Sequence, residues 1–96
     1  MGLRFEWDRQ KAHENLQKHG VSFDEAATVF NDLLAFIFDD EEHSVNEYRE
    51  IIVGHSAINR LLVVSFTQRD DDKLRIISAR KATKMERRDY EENKKS

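Results

Sequence analysis

Leu3-Arg4-Phe5-Glu6-Trp7 alternates apolar and charged residues, the period of a strand with one buried face. Asp8 follows as a helix cap. The spacing then predicts a helix from Arg9 to about Lys18, with Ala12 and Leu16 one turn apart and Gly20 placed for a left-handed stop. The apolar stripe of this helix is thin, so most of its surface should face water. Ser22 and Glu25 have the spacing of a reciprocal capping box, and Val21 is set to staple onto Ala26. A second helix therefore starts at Phe23, with Phe23, Ala26, Ala27 and Phe30 on one face and a stop near Asn31 or Asp32.

From Leu33 to Phe38 an unbroken apolar run reads as a strand, followed by an acidic loop over 39–47. A strand over Tyr48–Val53, a turn over Gly54–Asn59 and a β-branched-rich strand over Arg60–Thr67 come next, the last buried on both faces at its middle. Gln68–Lys73 is a polar hairpin loop into the strand Leu74–Ala79. Strict alternation would turn Leu74, Ile76 and Ser78 to one face and Arg75, Ile77 and Ala79 to the other. Thr83 and Glu86 repeat the capping-box spacing, so the last helix starts at Lys84 and runs toward Glu92, with Met85 and Tyr90 as its sizeable apolar residues. The order β-α-α-β-β-β-β-α, with short connections between successive strands, predicts an α+β fold. Two N-terminal helices and a C-terminal helix should pack on an antiparallel meander. The whole chain, 1–96, reads as one domain with a disordered tail over 93–96.

Composition narrows the chemistry. Cysteine is absent, which excludes disulfides, thiol catalysis and cysteine-based zinc sites. A charged fraction of 36% against a hydrophobic fraction of 39% predicts a small core whose bulk comes from six Phe and one Trp. No apolar run is long enough for a membrane span and no signal peptide opens the chain, which points to the cytoplasm. The net charge of −3 hides an asymmetry. Residues 39–50 carry six carboxylates against Arg49 alone, whereas residues 73–96 carry nine Lys or Arg against four acids.

At the end of the last strand Arg80 and Lys81 precede a helix start, so fixed positive charge meets unpaired N–H groups and suits a phosphate. His13 and His19 lie six residues apart and share no helical face, and no HExxH set exists, so no metal site is expected. His19 closes a helix, where the dipole favours a protonated ring. His43 and His55 fall in predicted loops. There is no P-loop, dinucleotide fingerprint or nucleophile elbow. What remains is a cation set of Lys18, Arg60, Arg75, Arg80 and Lys81, with His19, Ser78, Tyr48 and Tyr90 as proton carriers or base-stacking groups. Such a set suits cleavage of RNA by its own 2′-hydroxyl, a reaction that needs phosphate charge neutralised and protons moved but no metal or cofactor.

Four stretches in order carry a resemblance: Phe5-Glu6-Trp7-Asp8; Lys18-His19-Gly20-Val21-Ser22-Phe23-Asp24-Glu25-Ala26; Asp32-Leu33-Leu34-Ala35; and Arg75 through Thr83 with Glu86, Arg87 and Tyr90. Together they resemble the successive motifs of the BrnT toxins of bacterial toxin–antitoxin pairs. The resemblance implies a RelE-like ribonuclease fold, inhibition of translation by RNA cleavage and neutralisation by a small DNA-binding antitoxin of the BrnA type. It further implies a heteromeric toxin–antitoxin complex that represses its own operon, so operator DNA is met through the antitoxin. Carried over by position, it favours His19, Arg75 and Arg80 as catalytic residues and Lys18, Lys81, Trp7 and Ser78 as RNA-binding ones. Arg60 joins the RNA-binding set only as the opener of a strand beside the predicted sheet centre. The chain departs from the family pattern at Arg9 and Leu33, where proline is usual. Two other readings are a non-catalytic module that holds the antitoxin and tunes repression, and a toxin of the same fold aimed at DNA gyrase.

Overall fold

The computed structural model describes residues 2–43 and 47–95. Its elements are β1 (Arg4–Glu6), α1 (Arg9–His19), α2 (Phe23–Thr28), β2 (Phe36–Asp39), β3 (Glu50–His55), β4 (Leu61–Asp70), β5 (Lys73–Lys81) and α3 (Lys84–Lys95). Short 3-10 turns cover Val29–Asn31 and Glu41–His43. The predicted order of helices and strands is thus met. The five strands form one sheet in the order β1-β5-β4-β3-β2. β2 to β5 make the antiparallel meander, but β1 joins it parallel, with Phe5 opposite Leu74. Parallel pairing is possible because α1, α2 and three strands intervene and supply the long crossover that two parallel strands require.

Local chemistry sets the helix ends. Asp8 Oδ1 accepts from Lys11 N at 3.1 Å and starts α1; Gly20, at φ 70°, ends it with its N–H on the Leu16 carbonyl at 2.9 Å. At α2 only half of the predicted capping box forms. Glu25 N donates to Ser22 Oγ at 3.0 Å, but the Glu25 carboxylate turns instead to Arg60 and Ser56. At α3 the box is reciprocal: Thr83 N donates to Glu86 Oε1 at 2.8 Å and Glu86 N to Thr83 Oγ1 at 3.2 Å. This helix continues to Lys95, through much of the predicted tail, while Ser96 lies outside the described residues. Part of the predicted acidic loop, residues 44–46, lies outside them as well.

One face of the sheet carries the main core. Val21, Phe23, Ala26 and Val29 pack there on Ile52, Leu62, Val64, Phe66, Leu74, Ile76 and Ala79, with Phe5, Trp7 and Phe30 at the margin. Ala79 breaks the predicted alternation because β5 bulges. Ser78 pairs with Ser65 and Ile76 with Phe66, so Ile77 is the extra residue and the face of every later side chain is reversed. Ala79 therefore joins Leu74 and Ile76 in the core, and Ser78 and Arg80 share the other face with Arg75.

Beyond Arg75 the outer edge of β5 has no strand partner among the described residues, and α1 fills the gap with one side chain. Asn15, only 7% exposed, donates from Nδ2 to the Ala79 carbonyl at 2.8 Å and accepts from Ala79 N at Oδ1 at 3.1 Å. A second Nδ2 bond reaches the Val21 carbonyl at 2.9 Å. The amide thus replaces a missing strand along one residue of the edge.

On the second face α3 is docked by Tyr90. Its ring is buried among Val53, Leu61 and Val63 and stacks on Phe36 at 6.2 Å, whereas Met85 is 70% exposed. The Tyr90 hydroxyl donates to Asp32 Oδ2 at 2.8 Å. Leu33 and Leu34 do not belong to a strand: Asp32 Oδ1 accepts from Leu34 N, and the Asp32 carbonyl from Ala35 N, folding these residues into a turn before Phe36. Among the described residues no helix is long and apolar enough to cross a membrane.

Candidate functional site

The second sheet face is covered by Tyr90 at one end and open beyond it. There Ile51, Val63, Ser65, Ile77, Ser78 and Arg80 floor a cleft of about 340 Å³, walled by Asp40, Glu42, His43 and Arg49. A second hollow, about 200 Å³, lies between α1 and β5 and is lined by Lys11, Glu14, Asn15, Lys18, His19, Ile77 and Ser78. Ile77 and Ser78 line both, because the bulge makes this stretch the ridge between them. Lys18 and His19 therefore stand on one side of Ser78 and Arg80 on the other.

Arg80 does not wait for an anion with empty hands. Its Nη1 and Nη2 donate to Glu86 Oε1 and Oε2, both at 2.7 Å. Ion pairing with Arg80, helped by the Thr83 N–H, holds the Glu86 carboxyl down at about 2. The anion position predicted at the start of the last helix is thus filled by the chain's own carboxylate, in the two-pronged geometry that a phosphate also accepts. Lys81 is exposed at the end of β5.

Arg75 lies on the same face at the opposite end of the strand. Its Nη1 donates to Glu6 Oε2 at 2.9 Å, and Lys73 and Arg69 approach the same carboxylate at 3.5 and 3.7 Å. Three cations thus gather on one acid, while Glu47 also meets Arg69 at 4.0 Å and Asp72 meets Arg4 at 3.1 Å. The Arg75 pair lowers the Glu6 pKa. Arg75 pairs with Thr67 and Arg80 with Val63, so with Ile77 bulged out the two lie four ladder steps, roughly 13 Å, apart along β5.

Two predicted RNA-binding residues are occupied elsewhere. Arg60 Nε donates to Glu25 Oε2 at 2.9 Å and its Nη2 to the Gly20 carbonyl at 3.0 Å, so it ties the end of α1 and the start of α2 to the β3–β4 turn. Trp7 meets Phe23 edge to face at 5.9 Å on the core side of the sheet. Both tyrosines proposed as proton carriers are anchored. Tyr48 donates to Asp39, a bond that pushes its hydroxyl up to about 12. Burial, then the bond to Asp32, pushes Tyr90 to about 12 as well. Burial acts to raise Asp32, but bonds from His55 N, Leu34 N and Tyr90 outweigh it and leave its pKa lowered. Asp32 and His55 line a third hollow with Thr28, Asn31, Ser56 and Ala57, which includes no predicted site residue.

The family model for the ribonuclease toxin, BrnT, of type II toxin–antitoxin systems matches residues 7–86. The chain belongs to the BrnT family. It is accordingly a ribonuclease toxin whose class of system pairs it with an antitoxin protein. The matched span contains Lys18, His19, His43, Arg49, Arg75, Ser78 and Arg80, while Tyr90 lies beyond it. The fold is similar to that of the crystal structure of the Brucella abortus ribonuclease toxin, BrnT. The TM-score is 0.65 at 24% identity, over 85% of this chain and 99% of that one. A comparison with curated proteins gives no match.

In this BrnT-family chain, sequence reasoning missed His43 and Arg49 as cleft residues. A signal was present: Arg49 is the single cation in an acidic stretch, and Asp40 and His43 are spaced to meet across one turn.

Proposed function

We propose that this toxin is a metal-independent endoribonuclease that halts translation by cutting RNA across the open sheet face, and that a DNA-binding BrnA-type antitoxin neutralises it. One observation carries the reading: the β5 bulge brings Ser78 between Lys18 and His19 on one side and Arg80 on the other. A guanidinium, an ammonium and an imidazole around one backbone ridge are the parts needed to neutralise a phosphate and move a proton. The RNA 2′-oxygen attacks the adjacent phosphorus, the O2′–P bond forms, and the P–O5′ bond breaks. The products are a 2′,3′-cyclic phosphate and a free 5′-hydroxyl. Arg80 binds the non-bridging oxygens, either beside Glu86 or by displacing it; Lys18 adds charge from the α1 side, and His19 carries a proton. Arg75 grips the strand farther along, and Lys81 and Ser78 line its path.

Arg60 acts through the fold rather than on RNA, as its Glu25 and Gly20 partners indicate. The antitoxin forms a heteromeric complex with the toxin and supplies the contact with operator DNA, its neutralising effect coming from cover over the open sheet face. The test is incubation of antitoxin-free protein with total RNA in EDTA, beside a folded Arg80→Gln variant, with the product ends analysed. Cyclic phosphate ends from the parent and at least 100-fold slower cleavage by the variant are expected. Intact RNA from a folded parent would assign the chain a non-catalytic, antitoxin-holding role, and gyrase would be assayed next.

A further inference from the structure

Cleavage through the 2′-hydroxyl moves two protons. One leaves the 2′-oxygen as the O2′–P bond forms, and one reaches the 5′-oxygen as the P–O5′ bond breaks. A single imidazole starts the step either as acceptor or as donor, so one histidine serves only one of these transfers. We propose that His43 is a second proton carrier, acting within the Arg80 cleft with its ring aimed by Asp40; this rests on the ribonuclease reading above.

His43 sits in the 3-10 turn Glu41–His43, and its Nδ1 is 3.1 Å from both carboxylate oxygens of Asp40. An ionised carboxylate only accepts, so Nδ1 must carry the hydrogen in that bond. This fixes the tautomer and leaves Nε2 as the working nitrogen. The aiming group is itself held: the Asp40 side chain is 11% exposed, its N–H donates to the Arg49 carbonyl at 2.9 Å, and its own carbonyl accepts from His43 N at 3.3 Å. The imidazole is 61% exposed and shares its cleft with Arg49, Arg80, Ser65 and Ser78. Substrate can reach it there. The charged groups facing it are Asp40 and Glu42 from its own turn, Arg49 ahead of β3 and Arg80 from β5.

The other histidines lack this combination. His55 Nδ1 lies 3.2 Å from the Tyr90 hydroxyl and 3.8 Å from Asp32 Oδ2, but in a hollow lined, among the described residues, by no lysine or arginine, and His13 is exposed on α1. His19 lines the separate hollow on the α1 side, which shares only Ile77 and Ser78 with the cleft of His43.

The test measures single-turnover cleavage of an RNA oligonucleotide in EDTA by the parent, His43→Gln, His43→Ala and Asp40→Asn. Binding of an uncleavable analogue with 2′-deoxy substitution is measured in parallel. His43→Gln should lose about 10²-fold or more in rate while its affinity for the analogue stays within about twofold, as a proton carrier rather than a phosphate clamp would behave. One limb of the pH–rate profile should vanish, and added imidazole should restore part of the rate to His43→Ala. Asp40, a positioning residue, should give a smaller loss and a displaced limb when replaced by Asn. A parent that cleaves together with a His43→Gln variant of equal rate overturns this proposal and leaves the ribonuclease reading intact. A folded parent that does not cleave overturns both.

Discussion

Replacing Asn15 by Ala removes the amide that stands in for a sixth strand at the edge of β5. Three hydrogen bonds disappear together, to the Val21 carbonyl, the Ala79 carbonyl and the Ala79 N–H. A neutral bond contributes about 0.5–1.5 kcal/mol net, and a buried group left without a partner costs about 1–3 kcal/mol. Water reaches part of this edge through the adjoining hollow and meets some of the orphaned groups, so the total should be about 3 kcal/mol. That is a large share of the roughly 5–10 kcal/mol expected for a domain of this size. Urea unfolding followed by circular dichroism reads it directly. With a slope of about 1–3 kcal/mol/M, the midpoint should fall by about 1–3 M at unchanged slope. Asn15→Asp should be worse near neutral pH, because a carboxylate would face two carbonyls that both need a donor. A loss below about 0.5 kcal/mol for Asn15→Ala would refute the reasoning, since it would mean that the edge of β5 is satisfied without the amide.

Other predictions concern α3, the β3 backbone and the Arg60 tie. The folded Glu86 pKa of about 2 lies below its ordinary 4.5, so its ion pair adds stability that is complete above pH 4.5 and is lost as pH falls toward 2. Urea midpoints over that range should drop less steeply for Glu86→Gln than for the parent, the remaining slope coming from the other lowered carboxylates such as Glu6 and Asp32. At Gly54 a methyl would come within 2.7 Å of Ala35 Cβ and 3.0 Å of Asp32 Oδ2, so Gly54→Ala should destabilise by about 1–3 kcal/mol in the same unfolding assay. Tyr90→Phe keeps the stacking on Phe36 but leaves Asp32 without its phenolic donor. A loss of about 1–2 kcal/mol and faster amide exchange in α3 are expected. Arg60→Ala should lower the unfolding midpoint while leaving cleavage per folded molecule unchanged; a selective loss of RNA affinity would instead place Arg60 on the substrate path.

Much of the fold was legible because short-range chemistry determines it. Asp8, Gly20, Ser22 and Thr83 each mark a helix end with a side chain or a backbone angle, and each marks it where the sequence pattern predicts. What could not be read depends on partners distant in sequence. The parallel pairing of β1 with β5 needs the whole intervening chain to return, and nothing in residues 3–7 specifies its direction. The Ile77 bulge is invisible to an alternation rule, and it decides the face on which Ser78 and Ala79 lie. Tyr90 reads as a weak anchor on a polar helix, yet it is the buried centre of the second core because Asp32, 58 residues away, receives its hydroxyl. Within the candidate site, the β5 cations were visible as a charge pattern. Charge alone groups Arg60 with them, although its partners Glu25 and Gly20 make it a tie between elements; the Asp40-to-His43 spacing is legible, but that both reach the Arg80 cleft depends on the folded sheet.

The claim that the β5 ridge is where RNA is held is tested most directly by backbone amide shifts in the antitoxin-free toxin, titrated with an uncleavable 2′-deoxy-substituted oligonucleotide. The account predicts the largest shifts at Ser65 and Ile77 to Lys81, with Lys18, His19, His43 and Arg49 moving beside them. Shifts confined to the hollow of Thr28, Asp32 and His55, with the ridge unmoved, would contradict it.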